Sequence, residues 1–267
     1  MNRLLLVGVG QAAEATARLA RGRTIVGTTR DAAKLSRLAA LGITPEPFDP
    51  SALEAAAEGA DVLVSFPPDG VTDARVAPLL EAAAAVVYVS STGVYGRHAG
   101  RVDERTVPDP EGQKAERRLA AEVAYRGVSA RVLRVPALYG ASGGLLARLT
   151  SGEYRLPGDG AGMVSRLHLD DLAAFVLAAF ARGEPGTTYL LGDALPAPHR
   201  DVVAFLCEHL VLPFPASAPL DQVSPTLQGD RAVDALAARE RLGVTLRFPT
   251  YREGYTDLLS RWKPPAL

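Results

Sequence analysis

Apolar positions in the first 140 residues fall in short unbroken runs rather than alternating with polar ones. "RLLLVGV" (3–9), "RTIVGTT" (23–29), "ITPEPFD" (43–49), "DVLVSF" (61–66), "VVYVSS" (86–91) and "ARVLRVP" (130–136) have strand length, and most are rich in β-branched residues. An unbroken apolar run is what a strand needs when both its faces are covered. Between the runs lie alanine-rich helical stretches: "QAAEATARLA", "DAAKLSRLAALG", "SALEAAAEGA", "RVAPLLEAAAA" and "KAERRLAAEVAYRG". This succession predicts right-handed βαβ units, and so an α/β fold with a parallel sheet and helices on both faces. Alanine recurs at no fixed period, which excludes a solenoid.

After Gly140 the pattern changes. Gly143-Gly144 and "LPGDGAG" (156–162) read as loops, "RLHLDDLAAFVLAAFARG" (166–183) as strand then helix, and "TTYLLGD" (187–193) as a last strand of the sheet. From Ala194 onward, prolines separate short helices ("HRDVVAFLCEHL", "AVDALAARERLG"), which suggests a small lobe over the sheet's edge. The expected division is 1–193 for the sheet domain, with 141–165 contributing to the lobe, and 194–267 for the lobe itself. Composition adds exclusions. The 267 residues are 48% hydrophobic with a net charge of −1, which calls for neither nucleic acid nor an anionic membrane surface. The single cysteine, Cys207, excludes an internal disulfide and a multi-cysteine zinc site. "LAAFVLAAFA" (172–181) is too short to span a membrane, and "LLLVGVG" reads as a first strand rather than a signal peptide. A cytoplasmic protein is expected.

Gly8-Val9-Gly10-Gln11-Ala12-Ala13 is a GxGxxA set between a predicted strand and a predicted helix. Gly8 permits the tight turn, Gly10 lets backbone approach a pyrophosphate, and Ala13 lets the helix pack close to the strand. The fold class is therefore a Rossmann-type doubly wound sheet with a small C-terminal substrate lobe. About 20 residues on, where an NAD site usually places a carboxylate, stands Thr28-Thr29-Arg30. A guanidinium there suits the 2′-phosphate of NADP(H), with NAD(H) as the alternative cofactor. The other reading of Arg30 is a solvated residue before the next helix, with Asp31 as cap. Asp49 is a candidate acceptor for the adenine amino group, and Ser65, Phe66 and Pro67 are candidates for the wall along the adenosine.

From "VVYVSSTGVYG" (86–96) onward the sequence resembles the extended and atypical short-chain dehydrogenase/reductases, the NAD(P)-dependent epimerase/dehydratase branch. "VDE" (102–104), "GQKAE" (112–116), "LRVPALYG" (133–140), "RLHLDDLAAF" (166–175), "YLLGD" (189–193) and "FPTYREGYTDLL" continue the likeness in order. The resemblance implies an active site between sheet and lobe. It also implies a Ser or Thr that orients the substrate oxygen, and a YxxxK pair in which the tyrosine moves the proton and the lysine holds the nicotinamide ribose. Ser91 fits the serine slot, with Thr92 beside it, and Lys114 fits the lysine slot. The tyrosine slot holds Pro110, and no YxxxK occurs anywhere in the chain.

Tyr95 is then a candidate proton donor, against a packing role with its hydroxyl bonded. His98 is either a titrating group or a solvated one, and Asp103-Glu104 either cap their loop or meet substrate. Pro136 and Ala137 are expected to face the nicotinamide, Tyr139-Gly140 to shape the pocket, and Arg134 to hold neighbouring backbone. Gly143, Gly144 and the glycines of 156–162 are expected to form a mobile rim. His168 and Asp171 lack further ligands at metal spacing, so Asp170 or Asp171 is expected to cap the following helix. Two functions remain: an NADP(H)-dependent oxidoreductase or epimerase acting on a small carbonyl, alcohol or sugar-like substrate, and a cofactor-binding sensor or scaffold without turnover. The helices flanking the sheet offer a face for a homodimer.

Overall fold

The computed structural model describes residues 3–140, 144–224 and 227–262; Gly143 lies outside them. Seven strands form one sheet: β1 (Arg3–Val7), β2 (Thr24–Thr29), β3 (Thr44–Pro47), β4 (Asp61–Val64), β5 (Ala85–Ser91), β6 (Arg131–Val135) and β7 (Thr188–Leu190). Their order is β3-β2-β1-β4-β5-β6-β7, with every pairing parallel. This is the doubly wound order, with its switch point between β1 and β4.

The unbroken run in β1 is explained by its two partners. Leu4 and Leu6 enter one core, packed under α1 (Gln11–Leu19) and α7 (Leu169–Arg182). Leu5 and Val7 enter a second core, with residues of α3 (Pro50–Ala57), α4 (Thr72–Val76) and α5 (Gln113–Arg126). Ala13 is fully buried, and Ala15 and Ala17 nearly so, with Ala173 and Ala179 of α7 in the same cluster. Small side chains there let the two helices lie close together. The second helix, α2 (Leu35–Ala40), is short and leads into β3.

The lobe has its own core. Leu146 and Leu149 of α6 (Gly144–Thr150) join Tyr154, Leu156, Val202, Val203 and Leu206 of α8 (His199–Leu210), and Tyr251 and Tyr255 of α10 (Tyr251–Arg261). Cys207 is a buried member of this cluster. The chain after Ala194 does not all belong to it: Ala238 and Leu242 of α9 (Leu236–Leu242), with Leu246, pack into the core beneath α7. A small sheet stitches the lobe to the domain, running Ala197–Pro198, Met163–Val164, Arg231–Val233, Gly100–Val102. Beside it, Arg166–His168 pairs parallel with Ala137–Tyr139. No helix among the described residues is long and apolar enough to cross a membrane.

Candidate functional site

Parallel strands bring their carboxyl ends to one edge, and the register places Gly8, Thr29, Ser65, Ser91 and Pro136 along it. Gly8 has φ +83°, and a Cβ on it would stand 2.7 Å from the Cβ of Phe66. Only glycine fits both constraints. Its N–H donates to Thr28 Oγ1 (3.3 Å), and Ser65 Oγ donates to its carbonyl (2.8 Å). Ser65 and Phe66 thus brace the turn from behind, and Pro67 is exposed beyond them. Gly10 is the opposite case: nothing lies within 4 Å of where its Cβ would be. It is the N-cap of α1, and no side chain caps that helix. Gln11 is exposed and Ala13 fully buried. The result is an open backbone surface at a helix N-terminus, where orphan N–H donors and the helix dipole favour an anion. The residues fit a dinucleotide's pyrophosphate.

At the end of β2, Thr29 Oγ1 accepts from Asp31 N–H (3.1 Å), and Asp31 Oδ1 accepts from Ala33 N–H (3.0 Å), so Asp31 caps its own turn. Arg30 is exposed, with the Asp69 carboxylate 3.9 Å from its guanidinium. Asp69 was not singled out from sequence. Hydrogen bonds from Thr72 and from the backbone at Val71 and Thr72 hold its carboxyl down to about 2. Asp49 caps α3: Oδ1 accepts from Ser51 N–H (2.9 Å) and Oδ2 from Ser51 Oγ (2.7 Å).

Ser91 ends β5, and its Oγ accepts from Gly93 N–H (3.0 Å). A hydroxyl that accepts still has its own proton to donate. Thr92 beside it is buried. Tyr95 is 1% exposed, and its hydroxyl accepts from Arg134 Nη1 (2.9 Å). Burial pushes its phenol pKa up. Arg134 is in turn bound twice by Glu122, Nε to Oε1 (3.0 Å) and Nη2 to Oε2 (2.7 Å), and Ser90 Oγ and Arg126 Nη2 complete the carboxylate's shell. Arg134 therefore holds side chains rather than the neighbouring backbone.

Pro110 lies in the loop before α5, and Lys114 is exposed in the first turn of that helix, its side chain without a hydrogen bond or ion pair among the described residues. Lys114, Arg118 and Glu122 follow at intervals of four, one stripe of the helix. Arg118 reaches β5, donating to Tyr88 Oη (3.2 Å) and the Val89 carbonyl (3.1 Å). Arg118 is not legible along the chain, because its partners lie 30 and 29 residues away in another element.

On the lobe side, Pro136 is buried while Ala137 and Leu138 are exposed. Gly140 is required by His168, whose Nε2 would stand 2.5 Å from a Cβ there. The cap of α7 is His168 rather than Asp170 or Asp171: its Nδ1 accepts from Asp170 N–H (3.1 Å). Asp170 and Asp171 fall in the helix's first turn, and Asp171 is buried, accepting from the backbone N–H groups of Arg247 and Phe248. Burial lowers His168 to about 4, so the ring is neutral and free to accept. His98 is exposed, with Nε2 3.2 Å from the Arg101 carbonyl. Asp103 caps its loop through the N–H groups of Arg105 and Thr106, and Glu104 faces Arg241.

No protein-family profile matches the chain. A solved structure of a functionally unknown conserved protein from Silicibacter pomeroyi DSS superposes with a TM-score of 0.84 at 28% identity, over 98% of this chain and 99% of that one. MoeE5 in complex with UDP-glucose and NAD gives 0.81 at 20%, over 97% of each chain. A nucleoside-diphosphate-sugar epimerase from Pseudomonas aeruginosa gives 0.77 at 20%, over 97% and 95%. The fold is that of the NAD-dependent epimerases and dehydratases. Among curated proteins, a 3-diazoavenalumate denitrifying reductase from a Streptomyces species is 31% identical over 166 residues. That match spans 55% of this chain and 54% of the relative, about half of each. Within this epimerase/dehydratase fold, the glycine turn, Ser91 and the Ala137–Tyr139 strand share one edge of the sheet.

Proposed function

We propose that the protein binds a nicotinamide dinucleotide, NADP(H) in preference to NAD(H), and uses it as an oxidoreductase or epimerase on a small carbonyl, alcohol or sugar-like substrate. The observation that carries this reading is the open, uncapped start of α1 behind Gly10. Gly8, Gly10, Gln11 and Ala13 would cradle the pyrophosphate. Thr29 and Arg30 would take the 2′-phosphate, with Asp49, Ser65, Phe66 and Pro67 along the adenosine. Lys114, free of any partner, would meet the ribose, and Pro136 the nicotinamide.

Bound there, the nicotinamide supplies a carbon that gives or takes hydride. Ser91, with its hydroxyl proton uncommitted, donates to the substrate oxygen and fixes its position. Tyr95 is held by Arg134, so the proton that accompanies the hydride would pass between the substrate oxygen and solvent by way of the Ser91 hydroxyl. The complexes of MoeE5 with NAD and the reductase name of the Streptomyces relative support the nicotinamide part. Those names also speak of acidic small molecules, UDP-glucuronic acid and 3-diazoavenalumate. The second reading, cofactor binding without turnover, is favoured by Pro110 alone, since proline has no proton to move.

Calorimetric titration with NADPH and NADH tests the proposal. NADPH should bind more tightly, and Arg30→Ala should weaken NADPH about 10- to 100-fold while leaving NADH nearly unchanged. Equal losses for both would remove the NADP(H) assignment. Binding of neither by the folded protein would remove the dinucleotide reading.

A further inference from the structure

Arg166 opens the strand Arg166–His168, directly opposite Ala137 at the sheet's carboxyl edge. It is 5% exposed. Only its Nη1 has partners among the described residues, the carbonyls of Val164 (2.9 Å) and Ala197 (3.4 Å). No described carboxylate lies within 4 Å of it, although twelve arginine–carboxylate pairs form among the described residues. A guanidinium cannot shed its proton to escape the cost of burial, so a buried one without a carboxylate is held at a disadvantage.

The surroundings are polar and incomplete. Tyr139, Tyr154, Tyr255, His199 and Asp193 all stand within electrostatic reach of Arg166. The Tyr154 hydroxyl, His199 Nε2 and Asp193 Oδ2 are buried with no hydrogen-bond partner. Asp193 has its other oxygen on Leu195 N–H (3.2 Å), and burial holds its carboxyl up to about 7, so near neutral pH it is an incomplete countercharge. Burial lowers His199 to about 4, and the one N–H of the neutral ring faces the Leu227 carbonyl, so its Nε2 is a bare acceptor beside Arg166. One strand away, Ala137 and Leu138 leave an exposed apolar floor.

We propose that Arg166, with the Tyr154 hydroxyl, is a receptor for an oxyanion, the carboxylate or phosphate group of the substrate. Nε and Nη2 present the planar fork that pairs with two oxygens at once. Ala137 and Leu138 carry the apolar body of the molecule toward the Ser91 end of the edge. This rests on the proposed function for the reaction, and it narrows the substrate to a small anionic carbonyl or alcohol compound.

The test is calorimetric titration of the protein, without dinucleotide, with sodium phosphate and with sodium acetate at constant ionic strength. One of the two anions should bind with one-to-one stoichiometry. Arg166→Lys keeps the charge and loses the fork, and should weaken that binding about 10- to 100-fold. Tyr154→Phe, which removes only an unpartnered hydroxyl, should weaken it less and leave the melting temperature at or above that of the parent. Absence of binding by the folded parent protein overturns the proposal, as does binding undiminished in both variants. NADPH titrations of the same proteins separate the two readings. NADPH binding without anion binding sinks the receptor alone, and anion binding without NADPH binding sinks the dinucleotide reading alone.

Discussion

Two arginines are buried to the same depth in this protein, and they are treated in opposite ways. Arg134, 6% exposed, is clasped by Glu122 and by the Tyr95 hydroxyl, and Ser90 and Arg126 close the carboxylate's remaining sites. Arg166, 5% exposed, has two carbonyls on one nitrogen and no described carboxylate within 4 Å. A buried charge that its own chain fully satisfies is architecture. One that the chain leaves half-satisfied, beside other unpartnered polar atoms, has the features of a site. The same contrast separates Gly8, packed hard against Phe66, from Gly10, with open space in front of it.

The comparison breaks most sharply at Glu122. Glu122→Ala would leave Arg134 as bare as Arg166 but without a place for an anion, and should cost about 3–5 kcal/mol of stability in urea denaturation. Asp193→Asn acts on the other arginine and is pH-dependent. The carboxyl of Asp193 is raised to about 7 in the folded chain, so its contribution to stability is present below about 4 and lost as pH rises through 7. The asparagine variant should therefore be more stable than the parent above pH 7, by about 2–4 kcal/mol, and the gap should close on acidification toward pH 4. Thermal melts from pH 4 to 8 would show this, and a gap that does not change with pH would refute it. Tyr95→Phe is the mildest change. It removes one hydrogen bond to a buried charge and should cost about 1–2 kcal/mol. Any turnover should survive it, and its abolition in a folded variant would return Tyr95 to the catalytic list.

The paired arginine and the glycine turn differ in how far the sequence reveals them. Gly8, Gly10 and Ala13 are legible because a turn between strand and helix makes local demands that few residues meet. The strand runs are legible because a doubly covered sheet needs unbroken apolar residues, and the helix at 199–210 is bounded by the residues expected. Glu122 is invisible in "KAERRLAAEVAYR", which reads as a solvated charged helix, because Ser90 and Arg134 meet it only after β5 and β6 are side by side. His168 was hidden as a cap by the two aspartates after it. The isolation of Arg166 is a statement about what lies nearby in space, and no spacing along the chain encodes it.

The Glu122 cluster also bears on how the molecule opens. Ser90 lies in β5, Glu122 and Arg126 in α5, Arg134 in β6 and Thr188 in β7, and hydrogen bonds join them into one connected set. Pulling α5 or β6 away strands a charge in the interior, and pulling β5 or β7 away breaks a hydrogen bond to one. Local fraying is thereby disfavoured in this part of the sheet, and amide exchange should show the four elements opening together as one cooperative unit.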